Sequence, residues 1–401
     1  MRVSTRGLAA AMMCWILLAP AAARPHAPQP QDELAAMLNI TWTRGPNLPQ
    51  GFQDSDGGLI GSTLITACGF CSGVEVDNAK KPGIYPRGFL TRSWALDLES
   101  MPQRWRALPD FPGAARQALF SAVVDEKLYL WGGFSYAAPF CYADGWRVSR
   151  QGDGWKWETL PPLPRPLAAA AACTVGSTIY VFGGTDYDSE GYFTESDRAG
   201  AFARLGARLI YIDTRDLRGG WRELPQCPGT PRFAHTMQAI GEDLFVIGGA
   251  TGGRTRTVVD NWRFRTATQQ WTRLRDLPVS SGNFPRSTNL VFGQRYVILV
   301  GGHQYDEVAN PDGTWRPRYG QASRRNPGSG LHNDVFVYDT YTDHFGTADK
   351  LPIDNNLPMA VVRRDEIFLI GGETGGGVVE GEYYGHHPDL LLCGKIEALE
   401  P

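Results

Sequence analysis

Two acid–base residues occupy matching places in a repeated stretch. The segment "IFLIGGETGG" at residues 367–376 sets Glu373 directly after a pair of glycines, and "YVILVGGHQ" at 296–304 sets His303 at the same place. Other copies carry Phe70, Phe134, Thr185 and Ala250 there, so Glu373 and His303 are the ionisable members of six equivalent positions. A histidine and a carboxylate set around one concavity can divide proton abstraction and donation between them. The same side chains can also cap their own turns, and the sequence leaves both uses open. Arg116, Arg232 and Arg286 each lie about one hairpin before a glycine pair, where a guanidinium would meet a carboxylate or another anion. His235 shares that stretch three residues after Arg232. Tyr305, with Tyr136, Tyr187 and Tyr192, could stack on the C–H face of a sugar ring.

The elements that must position these residues repeat along the chain. An apolar run ending in two glycines recurs as "LYLWGG" from Leu128, "IYVFGG" from Ile179, "LFVIGG" from Leu244, "YVILVGG" from Tyr296 and "IFLIGG" from Ile367. A degenerate copy, "LITACG" from Leu64, has Cys68 in place of the first glycine. Each run follows another strand and a tight turn, as in "SAVVDEKLYLWGG", which is the pattern of a β-hairpin. A second signature alternates with the first: an aromatic residue and then Leu-Pro. It pairs Trp42 with Leu48-Pro49, Trp105 with Leu108-Pro109, Trp157 with Leu160-Pro161, Trp221 with Leu224-Pro225, Trp271 with Leu277-Pro278 and Phe345 with Leu351-Pro352. The first aromatic unit precedes any diglycine, and the last diglycine has no tryptophan after it. The expected fold is therefore all-β: a six-bladed β-propeller whose ring is closed by the N-terminal strand completing the last blade. Closure of that kind removes the exposed sheet edges of a linear array.

Composition narrows the partners. With 401 residues and a formal net charge of -3, the chain lacks the basic excess of a nucleic-acid binder. Arg2 and Arg6, an apolar run from Leu8 to Leu18 and Ala21-Ala22-Ala23 predict a signal peptide over 1–23, then a linker over 24–40 and the propeller over 41–401. The protein is expected to be exported, periplasmic or secreted, and free of the membrane once the signal is removed. Six cysteines then remain, an even number that permits disulfides. Cys68-Gly-Phe-Cys71 lacks the second ligand pair of a structural zinc site, so these cysteines are read as structural and no metal is expected. The gaps between diglycine and aromatic residue are long after Gly69, Gly184 and Gly302, which raises long loops on one face, the expected binding face.

Diglycine after an apolar strand, followed by a tryptophan strand, resembles the kelch motif over nearly all of the chain beyond the leader. Kelch repeats imply a β-propeller, on which enzymes, carbohydrate binders and protein-interaction scaffolds have all been built. A narrower resemblance lies in "EGYFTESDRAG", Glu190 to Gly200, with its continuation "AFARLG", and in "IGGET" of the last blade. These are similar to segments of the bacterial sialic acid mutarotases (N-acetylneuraminate epimerases), which are exported six-bladed kelch proteins. That resemblance implies cofactor-free interconversion of a sugar's anomers, with a proton donor and acceptor at the ring oxygen and the anomeric hydroxyl. The family's proposed pair is a glutamate just after the glycines of the fourth blade and an arginine shortly beyond. The arginine falls on Arg256, with Arg254 as the slipped alternative. The glutamate position holds Ala250, whose methyl group transfers no proton. Either activity is lost, or another carboxylate such as Glu373 takes the role, or the resemblance stops at scaffold and carbohydrate binding. The expectation is a propeller that binds a small anionic sugar, with Glu373, Arg256 and His303 as catalytic candidates and Arg116, Arg232, His235, Arg286 and Tyr305 as ligand contacts. The alternative is a non-catalytic carbohydrate- or protein-binding module on the long-loop face. The kelch copper oxidase typified by galactose oxidase has seven blades and needs two histidines and two tyrosines. His386-His387 beside Tyr383-Tyr384 fall in a terminal loop, and no cofactor is expected.

Overall fold

We describe the protein from a computed structural model covering residues 34–71, 88–186, 205–251, 256–286, 289–304, 307–309, 315–317, 321–322 and 330–399. The leader, the third-blade insertion over 190–200, Arg254, Tyr187, Tyr192 and Tyr305 lie outside the described residues. Six four-stranded antiparallel sheets are arranged as blades. The second blade runs outward from the channel through Gln117–Val124, Lys127–Phe134, Gly145–Gln151 and Gly154–Leu160. Among the described residues no helix is long and apolar enough to cross a membrane.

The ring closes as the repeat order requires. The last blade is built from Met359–Arg363, Glu366–Ile370 and Leu391–Ala398, and its outermost strand is Leu38–Arg44. That strand pairs from Leu38 opposite Ala398 to Arg44 opposite Leu392. The linker expected to reach residue 40 therefore ends earlier. Leu38 and Ile40 are buried in the core between the fifth and sixth blades, and Ala36 already bridges to Thr347. The physical cause is the alternation in "LNITWTR", which turns Leu38, Ile40 and Trp42 inward and leaves Asn39 and Thr41 exposed.

The aromatic–Leu-Pro signature has a structural explanation that couples neighbouring blades. Trp157 Nε1 of the second blade donates to the carbonyl of Pro109 in the first, at 2.8 Å, and Trp271 of the fourth donates to Pro225 of the third, at 2.7 Å. Trp105 donates at 2.9 Å to Pro46, which stands two residues before Leu48-Pro49. The third blade departs from the pattern: the carbonyl of Pro161 is taken by Trp131 at 3.0 Å. Trp221 instead meets Trp131 edge-on at 5.1 Å, and its indole N–H has no acceptor among the described residues.

Around the channel the backbone forms a closed circuit. Asp54, Ala118, Ala169, Ala234, Asn283 and Leu357 occupy the same place in successive blades, and all have φ between 51° and 58°. The N–H of Ala118 donates to the carbonyl of Asp54, Ala169 to Ala118, Ala234 to Ala169, Asn283 to Ala234, Leu357 to Asn283 and Asp54 to Leu357, at 2.7 to 3.1 Å. Left-handed backbone at a non-glycine residue costs on the order of 1 kcal/mol, and the hydrogen bond it enables offsets that cost in every blade. The diglycines behind this circuit have no room for side chains. A Cβ on Gly372 would lie 1.9 Å from Asn355 Oδ1, and one on Gly371 would lie 2.4 Å from the carbonyl of Phe52. Cys68, Cys173 and Cys227 are buried thiols with no disulfide, and burial pushes each up, Cys227 to about 12.

Candidate functional site

Each residue after a glycine pair faces the segment that leads into an innermost strand. Phe70 pairs with Gln53, Phe134 with Gln117, Thr185 with Ala168, Ala250 with Phe233, His303 with Gly282 and Glu373 with Asn356. The six positions are thus equivalent in three dimensions, and together they rim one mouth of the channel. Below the mouth the innermost strands enclose a cavity of about 240 Å³, bounded among others by Gly58, Ala122, Thr174, Gln238 and Val361.

The rim is divided in character. Over the second to fourth blades it is apolar: Ala118, Phe134, Ala168, Ala169, Phe233, Ala234 and Ala250 pack in one cluster. Against that cluster stands an aromatic group. Phe70 and Phe89 lie 5.1 Å apart, Phe89 and Tyr136 4.9 Å, and Phe134 and Tyr136 5.4 Å, all edge to face. Tyr136 keeps half of its surface exposed. The fifth and sixth blades carry a polar row instead. Asn283 Nδ2 donates to Asn356 Oδ1 at 3.2 Å, Asn356 Nδ2 donates to Glu373 Oε2 at 3.2 Å, and Glu373 Oε1 lies 3.3 Å from His386 Nε2. The halves meet where Phe70 touches the His387 ring at 5.8 Å. Glu373 is largely buried, with 13 % of its side chain accessible.

The three arginines, expected as one set, separate into two kinds by their partners. Arg116 is spent inside the scaffold: Nε donates to the carbonyl of Ala114, Nη1 to that of Gly132, and the fork grips Asp144 at 2.6 and 3.2 Å. Arg232 repeats this in the fourth blade through Thr230, Gly248 and Asp260, and its side chain is wholly buried. Each immediately precedes the residue that pairs across the rim, and each holds the carbonyl of the first glycine. In the sixth blade Asn355 takes this place, donating to the carbonyl of Gly371 at 3.0 Å. Arg286 is not equivalent. It lies beyond Gly282 and reaches the far side of the channel, pairing with Asp54 of the first blade and approaching the carbonyl of Leu119 in the second. Asp54 and Asp56 are both buried there. Burial raises Asp54 although Arg286 opposes it, and burial raises Asp56 to about 6 against Arg286, Ser121 and the Gly57 N–H.

Two histidines are also reassigned. His235 is fully buried between the third and fourth blades, where its ring meets Phe182 edge-on at 5.2 Å and fills the space left by Gly183 and Gly249. Burial first, and then Arg232 and Arg286, hold it well below the usual histidine range. Its ring packs between the blades. His303 is buried, and burial and His332 lower it to about 3. A ring that is neutral at ordinary pH is a poor proton donor, so the lowered value speaks against His303 as the proton donor to be paired with Glu373. The histidine beside Glu373 is His386, carried on the loop after the hairpin of Gly377–Val379 and Glu382–Tyr384. Sequence spacing missed it because that hairpin separates it from the repeat, although adjacent histidines in the terminal loop were the available signal. The backbone of Arg256 pairs with Thr251 in a short hairpin that also sets Ala250 opposite Thr257.

Comparison with known proteins agrees with this architecture. The KLHDC2/KLHL20/DRC7 Kelch-repeats domain matches residues 120–372. Among characterised proteins, the chain is similar to the N-acetylneuraminate epimerase of Haemophilus influenzae strain 86-028NP, 24% identical over 83% of this chain and 88% of that one. It is also similar to the enzyme of the same name from Pasteurella multocida, 23% identical over 83% and 89%, respectively. The Kelch-like protein terF of Aspergillus terreus is 27% identical over 69% of this chain and 53% of its own. The solved structure of YjhT superposes with a TM-score of 0.62 at 17% identity, covering 89% of this chain and 99% of that one.

Proposed function

The chain belongs to the KLHDC2/KLHL20/DRC7 Kelch-repeats domain family, and from that premise we propose that its divided mouth binds a small anionic sugar after export and interconverts the sugar's anomers. The observation that carries the reading is the juxtaposition at one rim of an aromatic group with an exposed Tyr136 and a hydrogen-bonded row ending in Glu373 and His386. A pyranose has both kinds of surface: apolar C–H faces that stack on aromatic rings and hydroxyls that need polar partners. The relatives named N-acetylneuraminate epimerase support the substrate class.

In this reading the Glu373–His386 pair works as a unit: Glu373 takes the proton of the anomeric hydroxyl while His386 delivers one to the ring oxygen. The ring C–O bond breaks as the carbonyl forms. Rotation about the adjacent C–C bond and reclosure with the protons returned yield the other anomer, so no atom is gained or lost. Arg256 is proposed to hold the sugar carboxylate from the fourth blade, as its position in the mutarotase motif suggests. The test is anomer exchange of N-acetylneuraminate followed by NMR with purified protein. Acceleration over buffer is the expected result, and its absence would sink the catalytic reading.

A non-catalytic sugar-binding module is the second reading, and Ala250 favours it. That side chain is fully buried in the apolar sector of the rim, where a carboxylate would lack partners. Saturable sugar binding without exchange would select this alternative.

A further inference from the structure

We propose that Glu373, His386 and His387 form a binding site for one divalent first-row transition-metal ion, with zinc as the representative occupant. Each offers one ligand atom, and the three atoms lie within 4.8 Å of one another. Two imidazoles and a carboxylate are a donor set for zinc, cobalt, iron or nickel, whereas calcium and magnesium select oxygen.

The orientation of His386 is compatible with ligation. Its Nδ1 faces the carbonyl of Thr374 at 3.3 Å. A carbonyl oxygen only accepts, so Nδ1 carries a proton and leaves Nε2, 3.3 Å from Glu373 Oε1, as the ring nitrogen available to a metal ion. A cation, either a proton on Nε2 or a bound metal ion, belongs between these two atoms. A charge-assisted N–H···O⁻ bond would be about 2.7–2.9 Å long. A tetrahedral ion with ligand bonds of about 2.05 Å instead separates its donor atoms by about 3.3 Å.

The outer partners of a metal site are also in place. Thr374 accepts from the far nitrogen of His386, and Asn356 donates to the second carboxylate oxygen of Glu373 at 3.2 Å. The two chain segments are fastened together: Thr374 N–H donates to the carbonyl of His386 and Thr374 Oγ1 to that of Gly385, both at 2.9 Å. The His386 and His387 rings stack at 4.4 Å. Three protein ligands leave coordination positions for water, as in catalytic zinc sites. The inference stands on this geometry and does not depend on the sugar reading, because ligation and proton transfer are alternative uses of Glu373.

The experiment is a titration of full-length, tag-free, chelator-treated protein with cobalt(II), read by visible absorption, and with zinc, read by calorimetry. One equivalent is expected to bind, with cobalt bands that zinc displaces. Glu373→Ala and His387→Ala should each weaken binding at least 100-fold while circular dichroism stays unchanged. X-ray absorption of the zinc-loaded wild type, which needs no variant, should show scattering from two imidazoles. Absence of stoichiometric binding, wild-type affinity in both variants, or a spectrum without imidazole scattering would overturn the proposal. Anomer exchange by the metal-free protein bears on the sugar reading alone.

Discussion

Glu373 Oε1 lies 3.3 Å from Nε2 of His386, across the hairpin that follows the last glycine pair. The repeat delivers the carboxylate, and a loop outside the repeat delivers its partner. Replacing Glu373 by Gln keeps the shape and the contact with Asn356 but removes the base. Anomer exchange should fall by about 10²-fold or more, the usual worth of a positioned proton carrier, with the folded state retained. NMR exchange rates and thermal unfolding, measured on the same preparations, check both halves of this expectation.

Asp56 gives the stability a pH dependence with a definite sign. Its folded value of about 6 stands above the ordinary 3.8, so the folded state holds the proton more tightly. The stabilisation is fully present below 3.8 and is lost as pH rises through 6, about 3 kcal/mol in all. Asp56→Asn should therefore match the wild type near the acid end and exceed it by up to about 3 kcal/mol at pH 8. Urea unfolding at a series of pH values measures the gap, and a gap that does not widen with pH would refute the account.

Arg232 is expected to matter to the fold and not to ligand affinity. Arg232→Ala takes the guanidinium away from the Asp260 carboxylate and from three backbone carbonyls, those of Thr230, Gly248 and Asp260, and should cost about 3–5 kcal/mol. Arg232→Lys should recover little, since an ammonium does not reproduce the planar fork. Chemical denaturation gives the loss; sugar affinity measured under folding conditions should be unchanged.

Two tryptophans that look alike in the repeat should behave differently. Trp157→Phe loses the bond to Pro109 and should cost about 1 kcal/mol. Trp221→Phe loses no such bond, so its effect is limited to packing against Trp131. Parallel denaturation of the two variants compares them directly, and equal hydrogen-bond costs would contradict the interblade role assigned to the proline carbonyls.

The ring order was legible because glycine pairs and tryptophans are stereochemical necessities, repeated wherever a blade turns or leans on its neighbour. The equivalence of Phe70, Phe134, Thr185, Ala250, His303 and Glu373 followed from the same repetition. What escaped was everything that depends on a shift within a blade. Arg286 looked like Arg116 and Arg232 by distance to its diglycine, yet Gly282, and not a residue next to Arg286, makes the rim pair. His235, His303 and His386 carry the same side chain and are all buried, and only the neighbours separate them, Phe182 beside His235 and Glu373 beside His386. The repeat set Phe70 and Phe134 at equivalent places and Tyr136 was a stacking candidate, but their meeting in one aromatic group was not legible, because Phe89, which joins them, lies outside the repeated motifs.

The circuit of left-handed residues around the channel has an electrostatic consequence. Its six residues, each giving the N–H of one peptide unit and the C=O of the next, point head to tail around a closed loop, so their in-plane dipoles cancel by symmetry instead of adding, as they do along a helix. The scaffold therefore presents the channel with little net in-plane field of its own. Which charge the mouth attracts is left to a few side chains, Asp54, Asp56, Arg286 and Glu373 among them, and a family built on this ring can change its ligand's sign without disturbing the frame.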